Sequence, residues 1–200
     1  KMPYVNLKVR KFPCVIPQTP IGMYTLLDEH TILASASTTD FLPSGNIELE
    51  EDHENPPSRA YLKLQEALLR MPTFFPDELI ELPKSGIRCL DAGASPGGWT
   101  WVLRRLCASI TAIDRAELAP RFMSDRYITF LKHDAFTLQP SELGSFDWIF
   151  SDVICYPERL YDWIQMWRQN GSFGKMICTI KLQGEEDWSI IEKFAAIPNS

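Results

Sequence analysis

Residues 87–99 read Ile-Arg-Cys-Leu-Asp-Ala-Gly-Ala-Ser-Pro-Gly-Gly-Trp, which is a short apolar strand, a loop of small residues and the start of a helix. Small residues let the backbone approach a ligand closely. In an open α/β sheet, ligands bind beyond the carboxyl ends of the strands, where the strand order reverses. We therefore expect this loop to bind a ligand. Its candidate contacts are Asp91, Gly93, Ala94, Ser95, Pro96, Gly97, Gly98 and Trp99.

The glycine spacing of this loop excludes two common nucleotide sites. Glycines at 93, 97 and 98 do not form the G-x-G-x-x-G of dinucleotide sites, and Pro96 lacks an amide donor. A P-loop is excluded because no Gly-Lys-Ser/Thr follows. A carboxylate at the strand end, Asp91, instead suits a ligand with an ammonium or sulfonium charge. The alternative is that the glycines only make a tight strand–helix turn.

Helices and strands alternate on both sides of the loop. Helical spacing predicts a helix that Ser58 caps and that runs to Leu69, with Tyr61 on its apolar face. Further helices are predicted at 101–106, 158–169 and 186–196, and strands at 109–114, 127–131, 146–152 and 175–181. Apolar strands alternating with helices indicate a parallel sheet covered on both faces, so the predicted fold class is doubly wound, Rossmann-like α/β.

Two more carboxylates follow strands of this predicted sheet. Asp114 ends the second strand, at the position that grips ribose hydroxyls in such folds. Asp134 follows the third strand and could accept a hydrogen bond from an adenine amino group. Three carboxylates at strand ends favour a ligand site over a simple turn.

The first 55 residues differ from the rest. Prolines are frequent, Tyr4–Val9 reads as an isolated strand, and segments 25–27 and 31–34 predict a hairpin. Residues 41–57 have the proline, glycine and acidic content of a linker. We therefore predict an N-terminal extension over 1–55 and a Rossmann-like domain over 56–200, the latter without its last strands.

Composition narrows the function classes. The net charge of −6 argues against a surface that binds nucleic acid everywhere, although a local basic patch is compatible with it. Absence of a long apolar run and of a secretory leader, together with five dispersed cysteines, predicts a cytoplasmic protein with reduced thiols and no metal site. Arginines 59, 104, 105 and 159 either track an RNA backbone or are scattered surface charges. Trp99 and Trp101 are expected to pack.

Four ordered motifs resemble the FtsJ-like ribose 2′-O-methyltransferases. They are the loop Asp-Ala-Gly-Ala-Ser-Pro-Gly-Gly-Trp, the segment Ser58–Leu64, Ser151-Asp152-Val153 and Ile180-Lys181-Leu182. The Gly-Gly-Trp-Thr loop and a tryptophan-containing helix, with Trp163 and Trp167, are most similar to the bacterial large-subunit ribosomal RNA cytidine 2′-O-methyltransferases of the RlmM type. Those enzymes carry N-terminal RNA-binding modules, and the first 55 residues, too short for the full set, are expected to be at most a remnant or divergent part of them.

The resemblance implies S-adenosylmethionine (AdoMet) as cofactor and RNA, specifically ribosomal RNA, as partner. It implies that Lys181 is the base, Lys63 a neighbouring cation and Asp152 a carboxylate that orients the lysine and lies on the cofactor side. A lysine can act as a base only when burial and a second cation lower its ordinary pKa of ~10.4. Taken singly, Lys63 could be a solvated charge, Lys181 a strand-end cation and Asp152 a helix cap.

One departure leaves alternatives open. The family's fourth catalytic residue is a glutamate on a late strand beyond residue 200, and Glu185 and Glu186 belong to a predicted helix start. A methyltransferase of a small molecule or protein, or a non-catalytic AdoMet-binding module, therefore remain as alternatives. The target nucleotide and the oligomeric state stay open.

Overall fold

A computed structural model of the chain describes residues 8–106, 108–182 and 188–198. These residues form two compact units. The first comprises residues 1–55 and 60–82, and the second comprises residues 56–59 and 83–200. The helix after residue 60 thus groups with the N-terminal residues, and the domain boundary near residue 55 stays a prediction.

The first unit contains an antiparallel hairpin and one long helix. Strands β1 (Met23–Leu26) and β2 (Ile32–Ser35) pair as predicted, and helix α1 spans Tyr61–Phe74. Ile16, Leu42, Ile47 and Leu69 form its buried cluster. Leu42 and Ile47, from the segment with linker composition, are therefore core residues of this unit.

The second unit is built on a five-stranded parallel sheet. Its strands are β3 (Arg88–Ala92), β4 (Ser109–Asp114), β5 (Ile128–Lys132), β6 (Phe146–Ser151) and β7 (Phe173–Cys178). Its helices are α2 (Gly98–Arg105), α3 (Pro120–Met123), α4 (Pro140–Leu143), α5 (Pro157–Asn170) and α6 (Ser189–Ala195). The sheet order is β5-β4-β3-β6-β7, and every pairing is parallel, which confirms the predicted α/β fold class.

The strand order reverses beside β3. The chain runs outward from β3 through β4 to β5, then returns to β6 on the other side of β3. Ala92 at the end of β3 lies opposite Ser151 at the end of β6. Since ligands of such sheets bind at this reversal, the crevice beyond β3 and β6 is the expected binding place. The loop that follows β3 and the residues that follow β6 border it.

Burial follows the position of each strand in the sheet. Leu90 and Ala92 of β3, Ile113 of β4 and Ile149 of β6 are almost inaccessible and share one core cluster. On α5, Leu160, Trp163 and Trp167 pack into the same cluster. The edge strands β5 and β7 are only partly buried. Trp99 and Trp101 are buried, as predicted, with 4% and 8% exposure.

Several predicted boundaries are wrong. Ser58 does not cap α1, because the chain turns until Ala60 and the first helical turn closes there, with the Lys63 amide donating to the Ala60 carbonyl at 3.2 Å. Helix α2 begins at Gly98 rather than at 101, since the Trp101 amide already bonds the Gly97 carbonyl at 2.9 Å. Strand β7 ends at Cys178 rather than at Lys181, because its neighbour β6 ends at Ser151.

Some sequence expectations concern residues outside the described ranges. They include the strand residues 4–7, Cys107, and Glu185 and Glu186 at the start of the helix predicted over 186–196. The described cysteines, Cys14, Cys89, Cys155 and Cys178, are free thiols. Among the described residues, no helix is both long and apolar enough to cross a membrane.

Candidate active site

The loop after β3 is shaped by two glycines with positive φ. Gly93 has φ +80° and Gly97 has φ +111°, a region that L side chains rarely adopt. A Cβ on Gly93 would lie 2.1 Å from Cγ2 of Val153, in the segment that follows β6. The loop after β3 and the segment after β6 therefore touch across the crevice, and a side chain at position 93 would separate them.

Asp114 fastens this loop to the end of β4. The Ser95 amide donates to Asp114 Oδ2 at 3.0 Å, and the Ala116 amide donates to Oδ1 at 2.9 Å. The amides of Gly93 and Ala94 donate to the Ile113 carbonyl at 2.8 and 3.1 Å. Ionised carboxylate oxygens have about four acceptor positions in total, so Asp114 retains acceptor capacity.

Asp91 lies beneath the loop rather than at its surface. Its side chain is buried, and Thr100 Oγ1 donates to its Oδ2 at 2.6 Å. Burial, and to a lesser degree the charges of Asp114 and Asp152, raise the pKa of Asp91 to about 7 despite the Thr100 hydrogen bond, which lowers it. The carboxyl group therefore titrates near neutrality.

Asp134, after β5, is held by a partner that the sequence did not indicate. Its Oδ2 accepts a hydrogen bond from Arg159 at 2.9 Å, and its Oδ1 accepts one from the Phe136 amide at 3.0 Å. Burial favours a higher pKa of Asp134, but these bonds and the Arg159 charge outweigh it, so the pKa lies below its ordinary value. Asp134 is thus an oriented anion at the carboxyl edge of the sheet.

Asp152 and Lys181 meet at the carboxyl ends of β6 and β7. Lys181 Nζ lies 3.1 Å from Asp152 Oδ1 and also donates to the Asp152 carbonyl oxygen. Their side chains are only 14% and 20% exposed. The Thr179 amide bonds the Ser151 carbonyl at 2.9 Å, which extends the strand pairing toward the pair. Lys63 belongs to α1 of the first unit, where it is exposed, so its place beside this pair stays a prediction.

A comparison with protein-family models shows the family of this chain. The model of the FtsJ-like methyltransferases matches residues 56–184, which is more than half of the chain. The chain belongs to the FtsJ-like methyltransferase family. The match spans the loop after β3 and both members of the Asp152–Lys181 pair.

Two curated relatives of this methyltransferase carry the same name. A "Ribosomal RNA large subunit methyltransferase M" of Xanthomonas campestris pv. campestris is 35% identical over 162 residues, covering 80% of this chain and 45% of the relative. The protein of the same name from Xanthomonas oryzae pv. oryzae is 34% identical over 175 residues, covering 86% of this chain and 49% of the relative. The resemblance to this type is thereby confirmed, and the chain spans about half the length of these relatives.

A solved structure shares the fold of this family member. A Streptococcus thermophilus protein, assigned provisionally as a hemolysin, superposes with a TM-score of 0.53 over 74% of this chain and 56% of its own. Its sequence identity to the chain is 20%, so the likeness shows the fold alone.

Arginines singled out from the sequence have internal partners in this methyltransferase. Arg104 pairs with Asp125 at 2.8 Å, Arg105 lies over the Trp101 ring at 5.0 Å, and Arg159 holds Asp134. Whether these arginines also track an RNA backbone stays a prediction. Among the described residues, no group of three or more His, Cys, Asp and Glu side chains could hold a metal ion.

Sequence reasoning missed three contacts that shape this site. Val153 closes against Gly93, Thr100 binds Asp91, and Arg159 binds Asp134. The Val153–Gly93 and Arg159–Asp134 contacts join segments distant in the chain, so no local pattern marks them. Thr100 lies in the first turn of the helix that opens at Gly98, a position that gave a signal that its hydroxyl could reach the end of β3.

Proposed function

We propose that this chain transfers a methyl group from AdoMet to a ribose 2′-hydroxyl of RNA, with ribosomal RNA as the substrate. The observation that carries the proposal is the Asp152–Lys181 pair beside the loop after β3. Family membership and the ribosomal RNA names of the relatives support it. An acceptor that is a small molecule or a protein has no such support. The predicted cytoplasmic location is part of the same proposal.

The charges around the crevice suit AdoMet. Three carboxylates, of Asp114, Asp134 and Asp152, end or follow strands at this edge, and the buried Asp91 lies one residue before the end of β3. They disfavour a phosphate ligand and favour one with ammonium and sulfonium charges. When bound, AdoMet supplies an electrophilic methyl group.

The ribose and the adenine of the cofactor have proposed partners in this crevice. Asp114 would bind the ribose hydroxyls, and Asp134 would bind the adenine amino group. Gly93, Ala94, Ser95, Pro96, Gly97, Gly98 and Trp99 would form the wall along the cofactor. The spare acceptor positions on Asp114 support this assignment.

Lys181 is the proposed base. Its neutral amine would take the proton of the 2′-hydroxyl as the oxygen attacks, and the resulting ammonium would remain paired with Asp152. The 3.1 Å contact holds the amine at the carboxyl edge, where an acceptor can reach both it and the loop after β3. Lys63 is proposed as the neighbouring cation that favours the neutral amine. A positioned base of this kind accelerates a reaction by about 10²–10⁴-fold.

The test is transfer of labelled methyl from AdoMet to large-subunit ribosomal RNA, followed by alkaline hydrolysis. A 2′-O-methyl group blocks alkaline cleavage at its nucleotide, so we expect the label in alkali-resistant dinucleotides. Label in mononucleotides would contradict ribose methylation and indicate a base acceptor. AdoMet binding by calorimetry without transfer to this RNA would instead favour the non-catalytic alternative.

A further inference from the structure

Three large apolar side chains stand exposed at the same sheet edge as the Asp152–Lys181 pair. Ile154 and Tyr156 follow β6, and Leu182 follows β7. Their exposed fractions are 78%, 64% and 42%. Apolar surface gathered around a polar centre marks a binding site more often than apolar residues scattered singly do.

The segment after β6 presents its side chains in alternation. Ile154 and Tyr156 are exposed. Cys155, which lies between them, and Pro157, which follows Tyr156, are buried. The Tyr156 carbonyl accepts hydrogen bonds from the Arg159 and Leu160 amides at 3.1 and 3.3 Å, which fixes it as the start of α5. The tyrosine ring is therefore offered to solvent from an anchored backbone.

The Asp152–Lys181 ion pair joins the two segments that carry these exposed apolar side chains. Lys181 contacts both the carboxylate and the carbonyl of Asp152, so the segments after β6 and β7 are tied together at this point. Ile154 lies two residues beyond Asp152, and Leu182 is next to Lys181. A polar centre bordered by apolar groups on both strands matches a nucleoside, with its hydroxylated sugar and flat base.

Cations border the same segment. Burial raises the pKa of the Cys155 thiol, while the charges of Arg159 and Lys181 oppose that rise, so both cations act on the segment between Ile154 and Tyr156. Each cation also has a carboxylate partner, Asp134 or Asp152. The border of this apolar patch is therefore polar without a net positive charge, and the apolar side chains themselves are the surface that a flat base can cover.

We propose that Tyr156, with Ile154 and Leu182 beside it, binds the unstacked base of the acceptor nucleotide by stacking on its face. The inference rests on the proposed function. Sequence-specific recognition of RNA uses single-stranded nucleotides whose unstacked bases stack on aromatic side chains, so a nucleotide that presents its 2′-hydroxyl at this edge would place its base on Tyr156. An aromatic ring at the edge replaces the stacking that the base loses.

The test uses a single-stranded RNA that carries one 2-aminopurine, whose fluorescence is quenched by stacking. We expect the wild-type chain to quench it and Tyr156→Phe to do the same. Tyr156→Ala should lose the quenching and bind the RNA about 5- to 150-fold more weakly, the range that one base–aromatic stack is worth. The control is Tyr24→Ala, which removes a tyrosine of similar exposure, 56%, in the hairpin of the first unit.

Two further measurements distinguish a failure of the stacking role from a failure of the proposed function. AdoMet binding by calorimetry checks that Tyr156→Ala is folded, and if it is not, Leu182→Ala, which shortens the exposed apolar side chain next to Lys181, serves as the deciding variant. The inference is overturned if Tyr156→Ala quenches the fluorescence as the wild type does. It is also overturned if the wild type does not quench the fluorescence. If the wild type and Tyr156→Ala methylate the RNA ribose equally, the proposed function stands and the stacking role fails. Loss of quenching in Tyr156→Ala without any methyl transfer by the wild type supports the stacking and refutes the function.

Discussion

Replacement of Gly93 by alanine probes the contact that joins the two sides of the crevice. The new Cβ would lie 2.1 Å from Val153 Cγ2, at a residue with φ +80°. Left-handed backbone costs an L residue about 1–2 kcal/mol. Overpacking costs about 1–3 kcal/mol more. Gly93→Ala should therefore lower the free energy of unfolding by about 2–5 kcal/mol.

Gly86 provides a matched control for the backbone part of this cost. Its φ is +87°, and a Cβ there would meet no atom within 4 Å. Gly86→Ala should thus show only the backbone strain of about 1–2 kcal/mol. The double variant Gly93→Ala/Val153→Ala removes the atom at 2.1 Å and should recover most of the steric part but none of the strain.

Urea unfolding followed by tryptophan fluorescence measures these differences in the free energy of unfolding for the second structural unit, which contains Gly86 and Gly93. All six tryptophans lie between residues 99 and 188, within the second unit. Equal destabilisation by Gly93→Ala and Gly86→Ala would refute the contact between the loop and Val153. AdoMet calorimetry on the same variants should show a loss of affinity for Gly93→Ala only.

Two further predictions concern titration and the first unit. Burial is the chief cause that raises the pKa of Asp91 to about 7, so the folded state binds this proton more tightly than the unfolded state does. The free energy of unfolding should therefore fall as the pH rises from about 4 to about 7. Urea unfolding across that range should show the slope in the wild type and a flatter profile in Asp91→Asn; an unchanged slope would contradict the assignment. Arg70 bonds Asp40 at 2.6 Å and Glu66 at 2.7 Å, so Arg70→Met should destabilise the first unit by about 1.5–3 kcal/mol. Reduced amide hydrogen-exchange protection of α1 would show this, and wild-type protection in Arg70→Met would refute it.

The strand–loop–helix at residues 88–105 was predictable because its signal is local. Apolar residues before Asp91, small residues after it and an amphipathic run from Gly98 each indicate one element. Strand β4, at 109–114, was predicted at both of its ends. The sheet edge at which Asp152 and Lys181 meet followed from topology, since the carboxyl ends of parallel strands lie together.

Short elements and long-range contacts were not predictable in the same way. Helices α3 and α4 have four residues each, too few for a helical period. The only sign of α4 was Gln139 followed by Glu142, whose Oε2 accepts the Gln139 amide at 2.7 Å. Lys181 lies beyond β7 because strand pairing ends with the partner strand, which no property of residues 175–181 reveals.

The measurement that tests the central proposal most directly is methyl transfer by Lys181→Ala. The expected result is a loss of about 10²–10⁴-fold in kcat on large-subunit ribosomal RNA, with AdoMet affinity unchanged in calorimetry. Lys132→Ala is the matched control, because it removes another lysine at a strand's carboxyl end that is paired with a carboxylate, Glu117 at 3.3 Å. It should retain wild-type transfer. Wild-type transfer by Lys181→Ala would contradict the assignment of Lys181 as the base.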